Sequence, residues 1–273
     1  TADKIFKEMC KDILTKGVWD TDYDVRPRWE DGTPAHTIKK FGIVNRYNLQ
    51  ESFPILTLRK TNFRAAVDEL LWIWQKKSNN VNDLNSRIWD SWADETGSIG
   101  KAYGYQLGIK HKYKEGEFDQ VDRVLYDLKN NPASRRILTN IYNFQDLHEM
   151  HLYPCAYSMT FNVSGNKLNA ILNQRSQDVL AANNWNVVQY SILVHMMAQV
   201  SGLVAGELVH VIADAHIYDK HVPIIEELIE MEEHEPPTLE IDNIDDFYKF
   251  TVDSFRLINY QYNPFKVKVP IAV

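Results

Sequence analysis

From Val187 to Val200 the chain is almost wholly apolar, with no glycine or proline to interrupt it. This stretch predicts a long helix, with Asn183 and Asn184 as candidate caps and Gly202 just past its end. A helix that is apolar on every side has to be enclosed by other elements. No stretch of the chain approaches the roughly 20 apolar residues needed to span a bilayer, so the helix is expected at the centre of a soluble fold. With 273 residues, of which 44% are hydrophobic and 25% charged, the chain can build that enclosure as one large domain covering 1–273.

The elements around the helix read as a mixture. Helical spacing of Ile5, Phe6, Met9, Cys10, Ile13 and Leu14 predicts a first helix over about 3–15, ending at Gly17. A turn-rich, charged loop follows and carries Arg26 and Arg28. "FGIVNRYNL" and "FPILTL" read as two strands, and residues 63–76 as a helix with an apolar stripe. "SRIWDSWADETGSIG" reads as a surface loop with aromatic walls. A helix over Val121–Leu128 is followed by "SRRILTNIY", a strand in which Arg135 and Arg136 would face opposite ways. "YSMTFNV", "SGNK" and "LNAILNQRS" make a hairpin, "ELVHVIADAHIY" a further strand, and "VPIIEELIEMEEHE" and "DDFYKFTVDSFRLI" two closing helices. There is no internal repeat and no strict strand-helix alternation, so the order favours an α+β layer over a doubly wound sheet.

Charge narrows the function. A net charge of −7 leaves no basic face for nucleic acid, although a local group of arginines could hold one small phosphate. The opening "TADKIFKEMC" lacks the apolar core of a signal peptide, and the chain reads as cytoplasmic. Its two cysteines, with no CxxC pair, speak against a disulfide framework or a cysteine zinc site. Cys10 lies in the first helix's apolar stripe and reads as a small buried hydrophobe, whereas Cys155 in "YPCAY" has no such stripe and is a candidate nucleophile. Glu69 has Ala65, Ala66, Trp72 and Ile73 three and four residues away, so its carboxylate is either half-buried or at the stripe's edge reaching solvent. "NQRSQD" presents Gln174, Arg175, Ser176 and Asp178 together at a strand end, which suits a phosphate and equally suits a surface salt bridge beside a polar turn.

"YPCAY", "NQRSQDV", "NNWNVVQYSILVHMMAQVSG", "ADAHIYDKH", "DELLWIW", "RIWDSWADE", "AYGYQ", "PASRR" and the final "VPIAV" together resemble the thymidylate synthase family, in its order and spacing from about Asp24 to Val273. The resemblance implies a single α+β domain, a mixed twisted sheet covered by helices, with sheets packed back to back across a homodimer. It implies reductive methylation of dUMP to dTMP by 5,10-methylenetetrahydrofolate, giving dihydrofolate, with no metal and no nicotinamide.

By the same resemblance Cys155 is the nucleophile that adds to C6 of the pyrimidine. Arg26, Arg175 and Ser176 hold the phosphate beside Gln174, and Arg135 and Arg136 reach the neighbouring subunit's phosphate. Asn186 pairs with O4 and N3 of uracil, and His216 and Tyr218 with the ribose hydroxyl. Glu69 organises waters and shuttles protons, and Tyr103 stands near the proton-abstraction step. Asp178 holds the pterin and is counted among the dUMP contacts as well, while Ile88, Trp89, Trp92, Leu152 and Ala272 line or close the folate pocket. The chain departs from the family's pattern at Ala156, where histidine is usual, at Ala182-Asn183-Asn184-Trp185, and at Arg59-Lys60, where a basic pair would meet the folate's glutamate tail.

Three other readings compete. A dUMP hydroxymethylase of the same architecture would finish with water in place of hydride. A cysteine hydrolase pairing Cys155 with His216 leaves the arginines and Asn186 without a task. A non-catalytic RNA-binding protein lacks an electrostatic footprint.

Overall fold

The computed structural model describes residues 1–273. In chain order the main elements are α1 (Ala2–Lys16), β1 (Val18–Trp19), β2 (Thr37–Asn48), α2 (Phe63–Trp74), α3 (Gly104–Gly108), β3 (His111–Tyr113), β4 (Gly116–Phe118) and α4 (Gln120–Asn130). They continue with β5 (Leu138–Asn140), β6 (Ala156–Ser164), β7 (Lys167–Asp178), α5 (Asn183–Val200), β8 (Val204–Tyr218), α6 (Val222–Leu228), β9 (Thr238–Ile241) and β10 (Phe255–Ile258).

Six strands form one mixed sheet in the order β1-β2-β8-β7-β6-β5. Only β7 and β8 run parallel, and the connection between them is α5, as a parallel pair requires a long crossover. The predicted hairpin is present as β6–β7, with an irregular register next to Ala156 where the strand begins. The whole is an α+β domain with a single hydrophobic core.

α5 sits where its composition requires, with Val187, Val188, Ile192, Leu193, Val194, Met196 and Met197 all withdrawn from solvent. Burying each such side chain contributes about 1.5–3 kcal/mol, which outweighs the modest helix propensity of its β-branched residues. It packs against α2 and against β7 and β8. α1 begins with Thr1 accepting from the Lys4 N–H, and buries Phe6, Met9, Cys10 and Ile13.

Several expectations are corrected. Asn183 and Asn184 lie inside the first turn of α5 and do not cap it. Asn184 instead accepts from the Leu56 N–H and donates to the Pro54 carbonyl. That explains a second correction: "FPILTL" is buried but is no strand, because its backbone donors are taken by side chains, Leu56 N–H by Asn184 and Thr57 and Leu58 N–H by Asp3. "DDFYKFTVDSFRLI" forms two short 3-10 turns and then β10, which pairs with β9. The helical spacing of Phe247 and Phe250 is met by those turns, and strand pairing takes the rest. α6 stops at Leu228, short of the acidic run. Arg135 and Arg136 lie before the three-residue β5, and both are exposed.

One sheet face is left partly bare. Leu138, Ile171 and Val44 are 50%, 39% and 54% exposed, on β5, β7 and β2, and the strand registers align them on one face. No helix of the chain is long and apolar enough to cross a membrane.

Candidate active site

Cys155 is half-buried at the entrance to β6, and three groups fix it there. Its N–H donates to the Tyr103 hydroxyl at 3.1 Å, and its carbonyl accepts from the Arg175 N–H at 3.0 Å. The Arg175 guanidinium donates to the Pro154 carbonyl at 2.9 Å and the Tyr153 carbonyl at 3.0 Å, and stands 3.8 Å from the Cys155 sulfur. Tyr103 reaches its position from a backbone φ of +45°, a region that costs a side-chain-bearing residue energy. The next residue has to be Gly104, since a Cβ there would lie 2.5 Å from the Ser78 carbonyl. Burial pushes the Cys155 thiol up, against the opposing charge of Arg175 and the hydroxyl of Tyr103. The sulfur thus faces a cation and a phenol, and no histidine hydrogen-bonds to it, which removes the geometry a Cys-His hydrolase needs.

Glu69 lies in the middle of α2 and is 5% exposed, so the first of the two alternatives holds and more fully than expected. Its carboxylate accepts from Trp89 Nε1 at 2.5 Å, from Trp185 Nε1 at 2.9 Å, and from Gln189 Nε2. Burial nonetheless dominates and pushes its pKa up, with the three donors pulling the other way. Trp89, which the sequence places in a surface loop, is therefore a buried residue, packed 5.1 Å from Tyr103 and 5.6 Å from Trp92 between ring centroids.

Asn186 is half-buried one turn before Gln189 on α5. Its Oδ1 accepts from Gln174 Nε2 and its Nδ2 donates to Gln189 Oε1, both at 3.2 Å. Gln174 in turn accepts from His210 at 2.8 Å, and burial keeps His210 neutral with a pKa pushed down to about 3. Gln189, Trp185 and His210 were not identified from the sequence. Their signal is a polar or aromatic group at a position that the α5 and β8 patterns assign to the core.

β7 and β8 set out the next group. Ser176 pairs with Asp214, and Asp178 with His216. His216 Nδ1 is 3.0 Å from Asp214 Oδ1, and its ring packs edge-on against Tyr218 at 5.2 Å. Burial, joined by the charge of Asp178, pushes the Tyr218 phenol up to about 12. Arg26 is exposed and close enough to influence that phenol.

Arg135 and Arg136 make no side-chain bond within the chain; Arg136 is engaged through its N–H, to Ser134 Oγ. The structure brings Cys155, Arg175 and Tyr103 into one cluster and Glu69, Asn186 and Gln174 into another. It does not bring Arg135 and Arg136 into contact with either.

Ile88 is half exposed, and Trp92 and Leu152 are partly buried. The chain's end is tied down: Val273 and Arg28 exchange backbone hydrogen bonds of 3.0 and 2.9 Å, and His221 is 2.6 Å from the Pro270 carbonyl, which places Ala272 between two anchors. No group of three or more His, Cys, Asp or Glu is placed to hold a metal ion.

A family model described as thymidylate synthase matches residues 4–273. The chain belongs to the thymidylate synthase family. It is 46% identical to a thymidylate synthase of Bacillus subtilis subsp. natto and 45% identical to that of Bacillus phage phi3T, in each case over 99% of both chains. Among solved structures it superposes on the thermostable thymidylate synthase A from Bacillus subtilis with a TM-score of 0.96 at 43% identity, covering 99% of both chains. A thymidylate synthase is a methyltransferase that serves dTMP formation, and the family binds dUMP and uses methylenetetrahydrofolate as cosubstrate.

Proposed function

We propose that this thymidylate synthase works through Cys155 as the nucleophile toward C6 of dUMP, with Asn186 reading the pyrimidine and Glu69 moving protons. The observation that carries the reading is the 3.8 Å approach of the Arg175 guanidinium to the Cys155 sulfur. A cation at that distance stabilises the thiolate over the thiol, and it is the same cation that a nucleotide phosphate would draw to the site. Arg26, Arg135 and Arg136 are free to hold phosphate as well, in a chain whose net charge is −7. Addition of sulfur to C6 makes C5 a carbon nucleophile. Asn186 offers both a donor and an acceptor to the O4 and N3 edge of uracil, and His216 and Tyr218, two positions apart at the end of β8, are the proposed partners of the ribose hydroxyl.

The residues expected on the folate side fit such a group. Asp178 receives the Ala181 N–H on Oδ1, which leaves Oδ2 to accept from the N–H donors of a pterin. Ile88, Trp92 and Leu152 offer apolar walls, Trp89 backs them, and Ala272 belongs to a terminus positioned to exclude water. Methylenetetrahydrofolate supplies the one-carbon unit and the reducing hydride. Glu69, held by three donors and withdrawn from solvent, is suited to exchange a proton because burial has raised its pKa. Tyr103, whose phenol is held protonated by burial, positions Cys155 and stands beside it.

The bare apolar face of the sheet and the unpaired Arg135 and Arg136 support a homodimer in which each subunit lends these two arginines to its partner's phosphate site.

The pyrimidine assignment predicts that Asn186→Asp moves preference from dUMP toward dCMP. A cytosine presents a donor where uracil presents an acceptor, so competition binding of the two nucleotides should shift by about tenfold or more in favour of dCMP. Unchanged selectivity would place the reading of the base elsewhere.

A further inference from the structure

Asn186 lies in the middle of a chain of amides whose direction is determined at both ends. On the α2 side, Gln189 Nε2 donates to the Ala66 carbonyl at 3.1 Å as well as to Glu69. A backbone carbonyl can only accept, so Gln189 must turn its amino group that way and its Oε1 toward Asn186. On the β7 side, Gln174 Nε2 donates to the Ser176 carbonyl at 3.1 Å and to Asn186 Oδ1 at 3.2 Å. Both neighbours therefore require Asn186 to present Nδ2 to Gln189 and Oδ1 to Gln174. Turning the Asn186 amide over would set amino against amino and oxygen against oxygen, with Gln174 and Gln189 buried at 3% and 2% exposure and no solvent to make up the loss.

An asparagine amide carries two N–H donors and an oxygen with two lone pairs; with one of each engaged by Gln189 and Gln174, the remaining N–H and lone pair can match uracil in one orientation of the amide and cytosine in the other. Selectivity for uracil then depends on what prevents the flip. We propose that Gln189 is a positioning residue that holds Asn186 in the uracil-reading orientation and ties it to Glu69, so that one side chain sets both the base reader and the proton-moving carboxylate. This rests on the assignment of Asn186 and Glu69 given above.

Gln189 stands in the apolar run of α5, where a leucine or methionine would serve packing equally well. It is the residue of the run that contacts both Asn186 and Glu69, with Trp185 holding Glu69 from the turn before.

The two bonds can be separated with two variants of the full-length protein. Gln189→Met keeps the length and the apolar contacts but loses both bonds. Gln189→Glu keeps an acceptor toward Asn186 and loses the amino group that faces Glu69. The measurements are Kd for dUMP and for dCMP by calorimetry, and kcat and KM for dUMP with methylenetetrahydrofolate.

For Gln189→Met the expected results are a dUMP-to-dCMP affinity ratio reduced by about tenfold, as for the loss of one orienting hydrogen bond, and a lowered kcat. For Gln189→Glu the ratio should stay near that of the wild type while kcat falls. A wild-type ratio in folded Gln189→Met, or the same loss of ratio in both variants, would overturn the inference, since a purely structural role changes stability without separating the two readouts. If the wild-type protein itself neither binds nor methylates dUMP, the assignment beneath the inference fails; if it does both and only the variants disagree, the inference alone fails.

Discussion

Cys155→Ser should lower kcat for dUMP methylation by about three orders of magnitude or more, the scale seen when an enzyme loses its nucleophile. Dissociation of dUMP should change by no more than a few fold. The reasons lie in the geometry. Arg175 meets the sulfur at 3.8 Å and bonds the carbonyls of Tyr153 and Pro154, so exchange of sulfur for oxygen leaves the cation and the backbone around it in place. A hydroxyl at the same position stays protonated in the field of one guanidinium, whereas a thiol can ionise. Single-turnover kinetics beside calorimetric binding would separate the two quantities. Turnover within tenfold of the wild type would remove Cys155 from the chemistry.

Glu69→Gln is expected to reduce kcat by about 10²- to 10³-fold, within the range for loss of a positioned acid-base group. It should also change how stability depends on pH. Burial raises the folded-state pKa of Glu69 above its unfolded value. Below the unfolded carboxylate range of about 4.3 both states hold the proton and the group adds no pH dependence. As pH rises through that value toward the folded pKa, the native state binds more protons than the unfolded state, so stability falls with pH. The stabilising contribution of the buried acid is fully present at low pH and lost as pH passes the folded pKa. The glutamine variant lacks this term, so wild-type stability minus variant stability should decline from pH 4 to pH 8. Urea titrations at several pH values would measure it, and a flat or rising difference would show that Glu69 is not a buried acid of raised pKa. The variant's absolute stability moves separately, because a glutamine can accept from at most part of the donor set formed by Trp89, Trp185 and Gln189.

Much of the candidate site was proposed from the sequence through the family resemblance, whose motifs are short local strings. Pro154-Cys155, the Gln174–Asp178 run and the His216–Tyr218 pair each occupy a few consecutive positions at a strand end, where alternation and register carry them onto the sheet together. The hidden part depends on contacts across long stretches of chain. Glu69 meets Trp185 and Gln189 more than a hundred positions away, and nothing in the local spacing of α2 or α5 announces such a pairing. The same holds for the fold. "FPILTL" has the composition of a strand, yet Asp3 and Asn184 claim its backbone donors. "DDFYKFTVDSFRLI" has apolar residues at helical spacing, yet its last residues find a partner in β9. Where local preference lost, a distant polar side chain or a strand edge had satisfied the backbone first.

Glu69, Trp185 and Gln189 also bear on the absence of a histidine after Cys155 in the proposed site, since Ala156 is small, buried and paired with Gln174 on the sheet. The carboxylate is oriented by two indoles and an amide, one from the loop at Trp89 and two from α5, and such an arrangement keeps its geometry without depending on a titrating neighbour.

The proposed reaction joins a methyl group to C5 of dUMP. Its most direct test is mass spectrometry of the nucleotide after incubation with dUMP and methylenetetrahydrofolate, with spectrophotometry of the folate alongside. Thymidylate formed together with an equal amount of dihydrofolate is the predicted result. A hydroxymethylated nucleotide with tetrahydrofolate, or unchanged dUMP in the presence of intact cosubstrate, would contradict it.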